Sequence, residues 1–313
     1  MRICLGVDGG QSSTTAMLGD ESGRVLGLGQ GGPCNHVSGP GARERFVNAI
    51  GGAVALALQQ ASLPVGLREF VSGCFGFSGG AEDKKAFVEE MFSFEKLLVT
   101  HDGLIALSGA TAGKPGVIAI AGTGQMAFGR NKQGRTSRAG GWGYVFGDEG
   151  GGFDIVRQAL RAALRMEEGW GPATSLRERM LAQAGAESAN DLLHRFYTAE
   201  WPRSRIAGLA KLVDESARDG DMLAKELLEA AAEHLARYAS AVRKQLFSRT
   251  DYPHVSYIGG VFKSDVVRKR FVALMGELTG PPEMGPAAGA LLEACRIAGL
   301  DVNLKNLPEK EKS

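Results

Sequence analysis

The sequence predicts an α/β fold of two related domains, each with a mixed β-sheet flanked by helices. A strand, a turn rich in glycine and hydroxyl groups, and a second strand occupy residues 3–18, and the same order recurs over residues 117–129. A polar turn follows each copy, at residues 20–23 and 131–134. Such an internal repeat indicates two domains of related topology, and a length of 313 residues also favours two.

Each hairpin must pair its two strands antiparallel, because the connection between them is short. Strand and helix patterns alternate after the first hairpin, which predicts parallel strands beside it. Further strands are expected over residues 71–77, 96–100 and 256–260. Helices are expected over residues 43–61, 81–91, 103–111, 153–166, 223–246, 265–279 and 287–298, with a shorter one around 206–213.

The order of these elements predicts the domain bounds. We expect a first domain over residues 1–113 that a helix within residues 286–300 completes, and a second domain over residues 114–285. Residues 301–313 are expected to form a polar, mobile tail. The ligand site is expected in the cleft between the two domains.

The composition disfavours several classes of protein. The formal net charge is only +1, which argues against a nucleic-acid-binding or polybasic membrane surface. No apolar run approaches the ~20 residues that span a bilayer, and the first residues do not form a signal peptide. The four cysteines are scattered without a C-x-x-C motif, which predicts reduced thiols in a cytoplasmic protein.

The first hairpin has the features of a phosphate-binding turn. Gly9 and Gly10 leave their amides open to close approach, and the hydroxyls of Ser12, Ser13 and Thr14 add donors. Asp8, at the end of the first strand, is placed to hold a magnesium ion through water. An ordinary hairpin is the alternative interpretation of this stretch.

The second hairpin repeats the phosphate-binding pattern with Gly122, Thr123 and Gly124. Two such turns on opposite walls are able to grip one polyphosphate. Asp102 stands where the strand over residues 96–100 ends and a helix begins, the edge at which parallel sheets bind ligands. It is interpreted as a general base or as a helix N-cap, and the two roles are compatible.

A glycine-dense segment over residues 140–154 is the least ordinary part of the chain. Ordering so many glycines is entropically costly, so a purely structural role is disfavoured. Trp142 offers a flat wall and Asp148 an acceptor, a combination that suits sugar hydroxyls, whereas a flexible linker is the alternative. Asn35 lies in a polar loop that is interpreted as a ligand contact or as a simple connector.

A set of motifs resembles the N-acetylglucosamine kinase branch of the BadF/BadG/BcrA/BcrD-type ATPase family. That family has the duplicated ribonuclease H-like fold of the sugar kinase/Hsp70/actin superfamily. The motifs are Asp8-Gly9-Gly10, Ser78-Gly79-Gly80, Asp102, Gly122-Thr123-Gly124, Gly141-Trp142-Gly143, Gly147-Asp148-Glu149-Gly150 and the stretch over residues 257–264.

The resemblance implies an ATP- and Mg²⁺-dependent kinase that phosphorylates the 6-hydroxyl of an amino sugar, N-acetylglucosamine or glucosamine. By position, the implied phosphate contacts are Ser12 and Thr123, and residues near the nucleotide are Gly208, Gly260 and Ser264. The implied sugar contacts are Asn35, Asp102, Gln125, Met126, Gly141, Trp142, Gly143 and Asp148.

The chain departs from the family pattern at three places. Gln125 and Met126 replace a Ser-Asn pair of the animal enzymes, Ala139 replaces a cysteine, and Gly151 replaces a serine. Two of these positions are implied sugar contacts, so the identity of the amino sugar stays open, with N-acetylmannosamine as a further option.

Two other functions are alternatives to the kinase. An ATPase that activates a radical dehydratase or reductase needs thiolates for a shared iron–sulfur cluster, and no cysteine lies between Cys74 and Cys295. A sugar-sensing regulator would lack the base or a phosphate hairpin, and both are present. The expected partners are the amino sugar and ATP, and we expect a homodimer.

Overall fold

The structure is a computed structural model that describes residues 2–10, 12–34, 41–78 and 83–311. The chain forms two compact units, Met1–Gly116 together with Pro281–Ser313, and Val117–Gly280. Limited proteolysis would test whether folding domains end near residues 113 and 285, as the sequence predicts. In the described part of the chain, every helix is too short or too polar to cross a bilayer.

The secondary structure comprises ten strands and eleven α-helices in the described residues. The strands are β1 (Ile3–Gly9), β2 (Thr14–Asp20), β3 (Val25–Gly31), β4 (Glu69–Phe77), β5 (Ser93–His101), β6 (Gly116–Ala121), β7 (Gln125–Arg130), β8 (Thr136–Gly140), β9 (His254–Ile258) and β10 (Thr279–Gly280). The helices are α1 (Ala42–Gln60), α2 (Lys85–Met91), α3 (Asp102–Ala110), α4 (Gly152–Glu167), α5 (Leu176–Ala184), α6 (Ala189–Phe196), α7 (Arg203–Ala207), α8 (Ala210–Arg218), α9 (Met222–Leu246), α10 (Asp265–Met275) and α11 (Pro286–Ile297).

Both units contain a five-stranded mixed sheet of the same topology. The first has the order β3-β2-β1-β4-β5, with β1–β2 and β2–β3 antiparallel and β1–β4 and β4–β5 parallel. The second has the order β8-β7-β6-β9-β10, in which β7–β8 is antiparallel and β9–β10 parallel. Numbered from the first strand of each unit, the two orders are identical. The predicted duplication of a mixed sheet flanked by helices is therefore confirmed.

Helix α11 closes the first unit from the far end of the chain. A Cβ atom on Gly6 would overlap the backbone of Leu291, so β1 and α11 touch at backbone distance. Cys4 is hydrogen-bonded to Cys295, and Ser72 Oγ donates to the Ala294 carbonyl at 2.8 Å. Because earlier residues of β1 meet later residues of α11, the helix runs antiparallel to β1. Its N-terminus therefore lies at the carboxyl end of β1.

The second unit buries its sheet beneath a helical layer in which α9 is the longest element. Asp221 caps α9 by accepting from the amide of Ala224 at 3.1 Å, an arrangement typical of helix starts. The predicted apolar stripe of this helix is buried, as Leu228, Leu235 and Val242 show. Packing of this stripe, more than helix propensity, stabilises a helix of this kind.

Two of the helices differ from the sequence prediction, one in where it ends and one in its division into two. The helix expected over residues 265–279 ends at Met275, because Gly276 adopts a φ of 98° that leaves the helical region. The chain then forms the short strand β10 at Thr279. The single helix expected around residues 206–213 is two helices, α7 and α8.

The C-terminal segment is anchored, in contrast to the mobile tail that its polarity suggests. Lys305 exchanges backbone hydrogen bonds with the turn before β3, donating to Gly23 O at 2.9 Å and accepting from Val25 N at 3.0 Å. Leu304 and Leu307 pack against the core beneath α11. Scattered leucines in a charged segment thus provide enough contact to fix its path.

Candidate active site

Two carboxyl groups meet at the carboxyl edge of the first sheet. Asp8 is the penultimate residue of β1, and Asp102 follows the last residue of β5. Because β1, β4 and β5 are parallel, their carboxyl ends lie on one edge. Burial raises the pKa of Asp8 to about 7, with the negative charges of Asp102 and Glu311 as smaller causes.

Asp102 is the first residue of α3 and not its N-cap, which is His101. Burial raises the pKa of Asp102, while the charge of His101 and hydrogen bonds from the Gly103 amide and the Ser78 hydroxyl oppose this rise. The carboxylate interacts with the first turn of its own helix, but the N-cap role foreseen for it is wrong, because His101 occupies that position. Its role as a base stays a prediction.

The first hairpin uses its polar groups differently from the sequence prediction. Gly10 N donates to Ser13 O at 2.9 Å, which closes the turn, and the hydroxyl of Thr14 donates to Gly32 O at 2.7 Å. Thr14 is therefore committed to the fold, whereas the side chain of Ser12 is exposed. Neither glycine has a positive φ; the space at Gly9 is needed because a Cβ atom there would overlap the ring of Phe77.

Glu311 is a residue near the site that the sequence did not reveal. Its carboxylate is buried and accepts hydrogen bonds from the amides of Ala287 and Ala288 at the start of α11. Burial raises the pKa of Glu311, and its charge in turn affects Asp8. No local motif marks such a residue, because its position depends on how the tail crosses the first unit.

The carboxylates of Asp8 and Asp102 are the candidate ligands for the magnesium ion that the resemblance implies. The described residues contain no group of three or more His, Cys, Asp or Glu side chains that could hold a metal ion. Mg²⁺ does not need one, since it keeps several waters and binds through one or two carboxylates and phosphate oxygens. Asp8 and Asp102 repel each other in a partly buried place, and a cation would relieve that repulsion. The residues present therefore fit Mg²⁺.

In the second unit, Asp148 lies directly beside the second hairpin. Its side chain is 7% exposed, its φ is 67°, and Oδ1 accepts from the Gln125 amide at 3.5 Å. A Cβ atom on Gly124 would stand 2.5 Å from Oδ2. A non-glycine residue at positive φ is strained, and such strain is concentrated at functional sites.

The side-chain amide of Gln125 is buried next to the second hairpin. It is 4% exposed, and among the residues that the structure describes neither its Nε2 nor its Oε1 has a hydrogen-bond partner. Leaving such groups unpaired costs about 1–3 kcal/mol each, so native structures satisfy nearly all of them. The amide can donate to and accept from a polar ligand.

Among the remaining predicted sugar contacts, Gly141 touches both Gln125 and Met126. Gly141 N donates to Gln125 O at 3.0 Å, and Gly141 lies against the thioether of Met126. Trp142 is 68% exposed, with the guanidinium of Arg138 5.0 Å from its ring centroid. Gly143 follows at a φ of 80°. Asn35 lies outside the described residues.

Of the six predicted nucleotide residues in the second unit, all but Gly124 line one cavity of about 450 Å³. Segments far apart in the sequence contribute to it: the second hairpin, the start of α4, the α7–α8 region, Leu228 of α9 and residues 260–264. Its walls include Gly122, Thr123, Gly208, Gly260 and Ser264, together with Lys211, Asp214, Arg218 and Lys263, which sequence reasoning missed. Ser264 also caps α10, accepting from Val267 N at 3.4 Å.

The second hairpin is joined to the start of α4. Gly152 N donates to Gly122 O at 2.8 Å and Phe153 N donates to Thr123 O at 3.0 Å. The turn and the helix N-terminus therefore form one rigid corner of the cavity. The amides of Gly152 and Phe153 are thereby committed to the hairpin, so α4 favours an anion here through its dipole.

Comparisons with known proteins agree with this geometry. A profile of the BadF/BadG/BcrA/BcrD ATPase family matches residues 5–294. The chain is 31% identical to an N-acetylmuramic acid/N-acetylglucosamine kinase of Clostridium acetobutylicum, covering 84% of this chain and 87% of the relative. It is 30% identical to an N-acetyl-D-glucosamine kinase of Dictyostelium discoideum, covering 92% and 98%. A solved structure from Chromobacterium violaceum, described as an N-acetylglucosamine kinase, has a TM-score of 0.76 at 27% identity, covering 93% and 98%.

Proposed function

The chain belongs to the BadF/BadG/BcrA/BcrD ATPase family, and we propose that it is an ATP-dependent kinase that phosphorylates the 6-hydroxyl of N-acetylglucosamine or glucosamine. One observation carries the proposal: residues chosen from the sequence as nucleotide contacts, in three separate segments, line one cavity of about 450 Å³. That volume lies within the usual range of ligand sites. The names of the relatives support an amino sugar as the acceptor.

The cavity has the chemistry that a nucleotide requires. The hairpin offers the hydroxyl of Thr123 to phosphate oxygens, and the dipole of α4 favours negative charge at this corner. Lys211 and Lys263 add positive charge, and Asp214 offers an acceptor for hydroxyl groups. We propose that Thr123 contacts the ATP phosphates and that Gly208, Gly260 and Ser264 lie along the nucleoside.

In the proposed reaction, Asp102 accepts the proton of the attacking sugar hydroxyl. Its raised pKa brings it closer to neutrality, where a general base works well. Asp8 would hold Mg²⁺, which neutralises charge on the phosphates as the γ-phosphoryl group is transferred. Gln125 and Asp148 would orient the sugar by hydrogen bonds, and Trp142 would shield one sugar face.

A coupled assay across a sugar panel tests the activity and the acceptor hydroxyl together. N-acetylglucosamine, glucosamine, N-acetylmannosamine and N-acetylmuramic acid would be compared, with 6-deoxy-N-acetylglucosamine as the matched control. We expect turnover of at least one amino sugar and none of the 6-deoxy analogue. Phosphorylation of the 6-deoxy analogue would contradict the 6-hydroxyl assignment, and sugar-independent ATP hydrolysis alone would contradict the kinase.

The dehydratase-activator alternative is disfavoured by the cysteines. All four are buried, whereas ligands of a cluster shared by two subunits must reach the surface. The proposal also includes a homodimer and a cytoplasmic location, the latter supported by cysteines that form no disulfide with one another. Sedimentation velocity tests the dimer.

A further inference from the structure

The second unit contains another cavity, of about 760 Å³, that the proposed kinase reaction does not use. Helices α4, α5 and α6 and the segment around Trp201 form its walls. Its apolar lining includes Leu160, Leu181, Leu192, Phe196, Trp201 and Ile206. It shares no lining residue with the 450 Å³ cavity. A water-filled apolar space of this size is unfavourable, and such pockets are typical of ligand sites.

The charges around this cavity are mostly positive. Arg157, Arg161, Arg177 and Arg203 line it, with Glu167 as the single acidic lining residue. Glu167 is already paired, since Arg177 Nε donates to its Oε2 at 2.6 Å. The cavity rim therefore carries an excess of positive charge.

Three of these arginines have guanidinium N–H groups that are available to a ligand. Within the described part of the chain, Arg161 has no hydrogen-bond or ion-pair partner, and Arg203 has no carboxylate but lies 4.8 Å from the ring centroid of Tyr144. Arg157 donates to Asp154 Oδ1 at 2.7 Å, yet its own Nε is buried and has no hydrogen-bond partner among the described residues. Guanidinium groups bind carboxylates and phosphates strongly because their N–H groups form a fixed fork.

We propose that this cavity binds a small amphipathic anion, a carboxylate attached to an extended alkyl chain. The alkyl chain would lie between α4, α5 and α6, and the carboxylate would meet Arg161 and Arg203. A cationic amphiphile would be repelled by the same arginines, and a neutral one would leave their charge uncompensated. The inference goes beyond the kinase activity, and its test needs no turnover.

Calorimetry with three matched twelve-carbon probes, each below its micelle concentration, tests the proposal on the full chain. The probes are dodecanoate, dodecanol and dodecyltrimethylammonium. We expect one dodecanoate to bind per chain, more tightly than dodecanol, and dodecyltrimethylammonium to bind weakest. Equal binding of the three probes, or binding of none, would overturn the proposal.

Variants of the lining residues test whether the probes bind in this cavity. Arg161→Gln should weaken dodecanoate binding about fivefold, the effect of about 1 kcal/mol for a solvent-exposed ion pair, and leave dodecanol unchanged. Ala189→Phe, on the cavity wall, should weaken both probes. Arg249→Gln, an exposed arginine elsewhere in the second unit, is the matched control and should change neither.

A second copy of the chain is the competing occupant, and sedimentation velocity separates the two cases. If Ala189→Phe fails to fold, calorimetry of the three probes with Arg161→Gln still tests whether the carboxylate meets this arginine. Dissociation of a dimer by Ala189→Phe, without any dodecanoate binding to the parent chain, would assign the cavity to a subunit interface and overturn the proposal.

Discussion

The carboxylate of Asp148 occupies the space that a side chain at Gly124 would need. The hairpin that is proposed to hold phosphate is therefore in direct contact with the acid that is proposed to hold sugar. A change in either residue should reach both ligands. The contact also explains why the turn contains glycine at this position although its φ is not positive.

Gly124→Ala should displace the Asp148 carboxylate and raise the KM for sugar at least tenfold. The new Cβ atom would stand 2.5 Å from Oδ2, and overpacking of this kind costs about 1–3 kcal/mol. Steady-state kinetics with varied sugar would measure the effect. Gly66→Ala, at a position with open space, is the control. An unchanged KM in Gly124→Ala would show that the carboxylate does not bind sugar.

Asp102→Asn should lower kcat by ~10²–10⁴, the usual contribution of a general base. The amide keeps the size and most hydrogen bonds of the carboxylate, so sugar affinity measured by calorimetry should change only modestly. Loss of orientation of the nucleophile would enlarge the drop. Turnover near the parent rate would move the role of base to another residue, with Asp148 the next candidate.

Thr123→Ala should raise the KM for ATP and leave the KM for sugar nearly unchanged, because it removes a hydroxyl from the nucleotide cavity. Thr123→Ser keeps the hydroxyl and is the matched control. A net hydrogen bond to a charged group contributes about 1.5–3 kcal/mol, which predicts at least a tenfold change. Equal kinetics in the two variants would assign any effect to the methyl group.

The raised pKa of Asp8 should lower the stability of the ligand-free chain as the pH rises from about 4 to about 7. The pKa of Asp8 is about 7 when folded and ~3.9 when unfolded, so the folded state binds more protons in this range. The full shift corresponds to at most about 4 kcal/mol, and partial solvent access reduces it.

Urea unfolding at pH 5 and pH 8 measures this effect. Between pH 5 and pH 8, the free energy of unfolding of Asp8→Asn should rise by about 1–3 kcal/mol relative to that of the parent chain. Asp301→Asn, at an exposed site, should show no such gain. Mg²⁺ should stabilise the parent more at pH 8 than at pH 5, because the ion binds the ionised carboxylate. If the difference in unfolding free energy between the parent and Asp8→Asn were the same at both pH values, the raised pKa would be contradicted.

The sequence alone predicts the elements that depend on local residue patterns. Both glycine hairpins, the sheet repeat and the helix of residues 43–61 follow from turn residues and periodicity, and the structure has them within two residues. Gly208, Gly260 and Ser264 could be predicted only by resemblance, since no local pattern connects them with Thr123.

The remaining features depend on tertiary contacts that a sequence pattern does not encode. Thr14 was expected to face a phosphate, but its hydroxyl binds Gly32 O because β3 returns beside it. Glu311 reaches α11 only through the path of the tail. Lys211 and Asp214 lie three residues apart on an amphipathic helix, where such polar pairs are ordinary surface residues.

The backbone contact between Gly6 and Leu291 has a consequence for synthesis on the ribosome. The segment Val117–Gly280 is continuous and can fold as soon as it emerges, whereas β1 must wait for a helix translated some 290 residues later. At the usual ~5–20 residues per second, that wait lasts tens of seconds. During it, the face of β1 that α11 covers is open to solvent and to chaperones. The part of the chain made first is thus completed last.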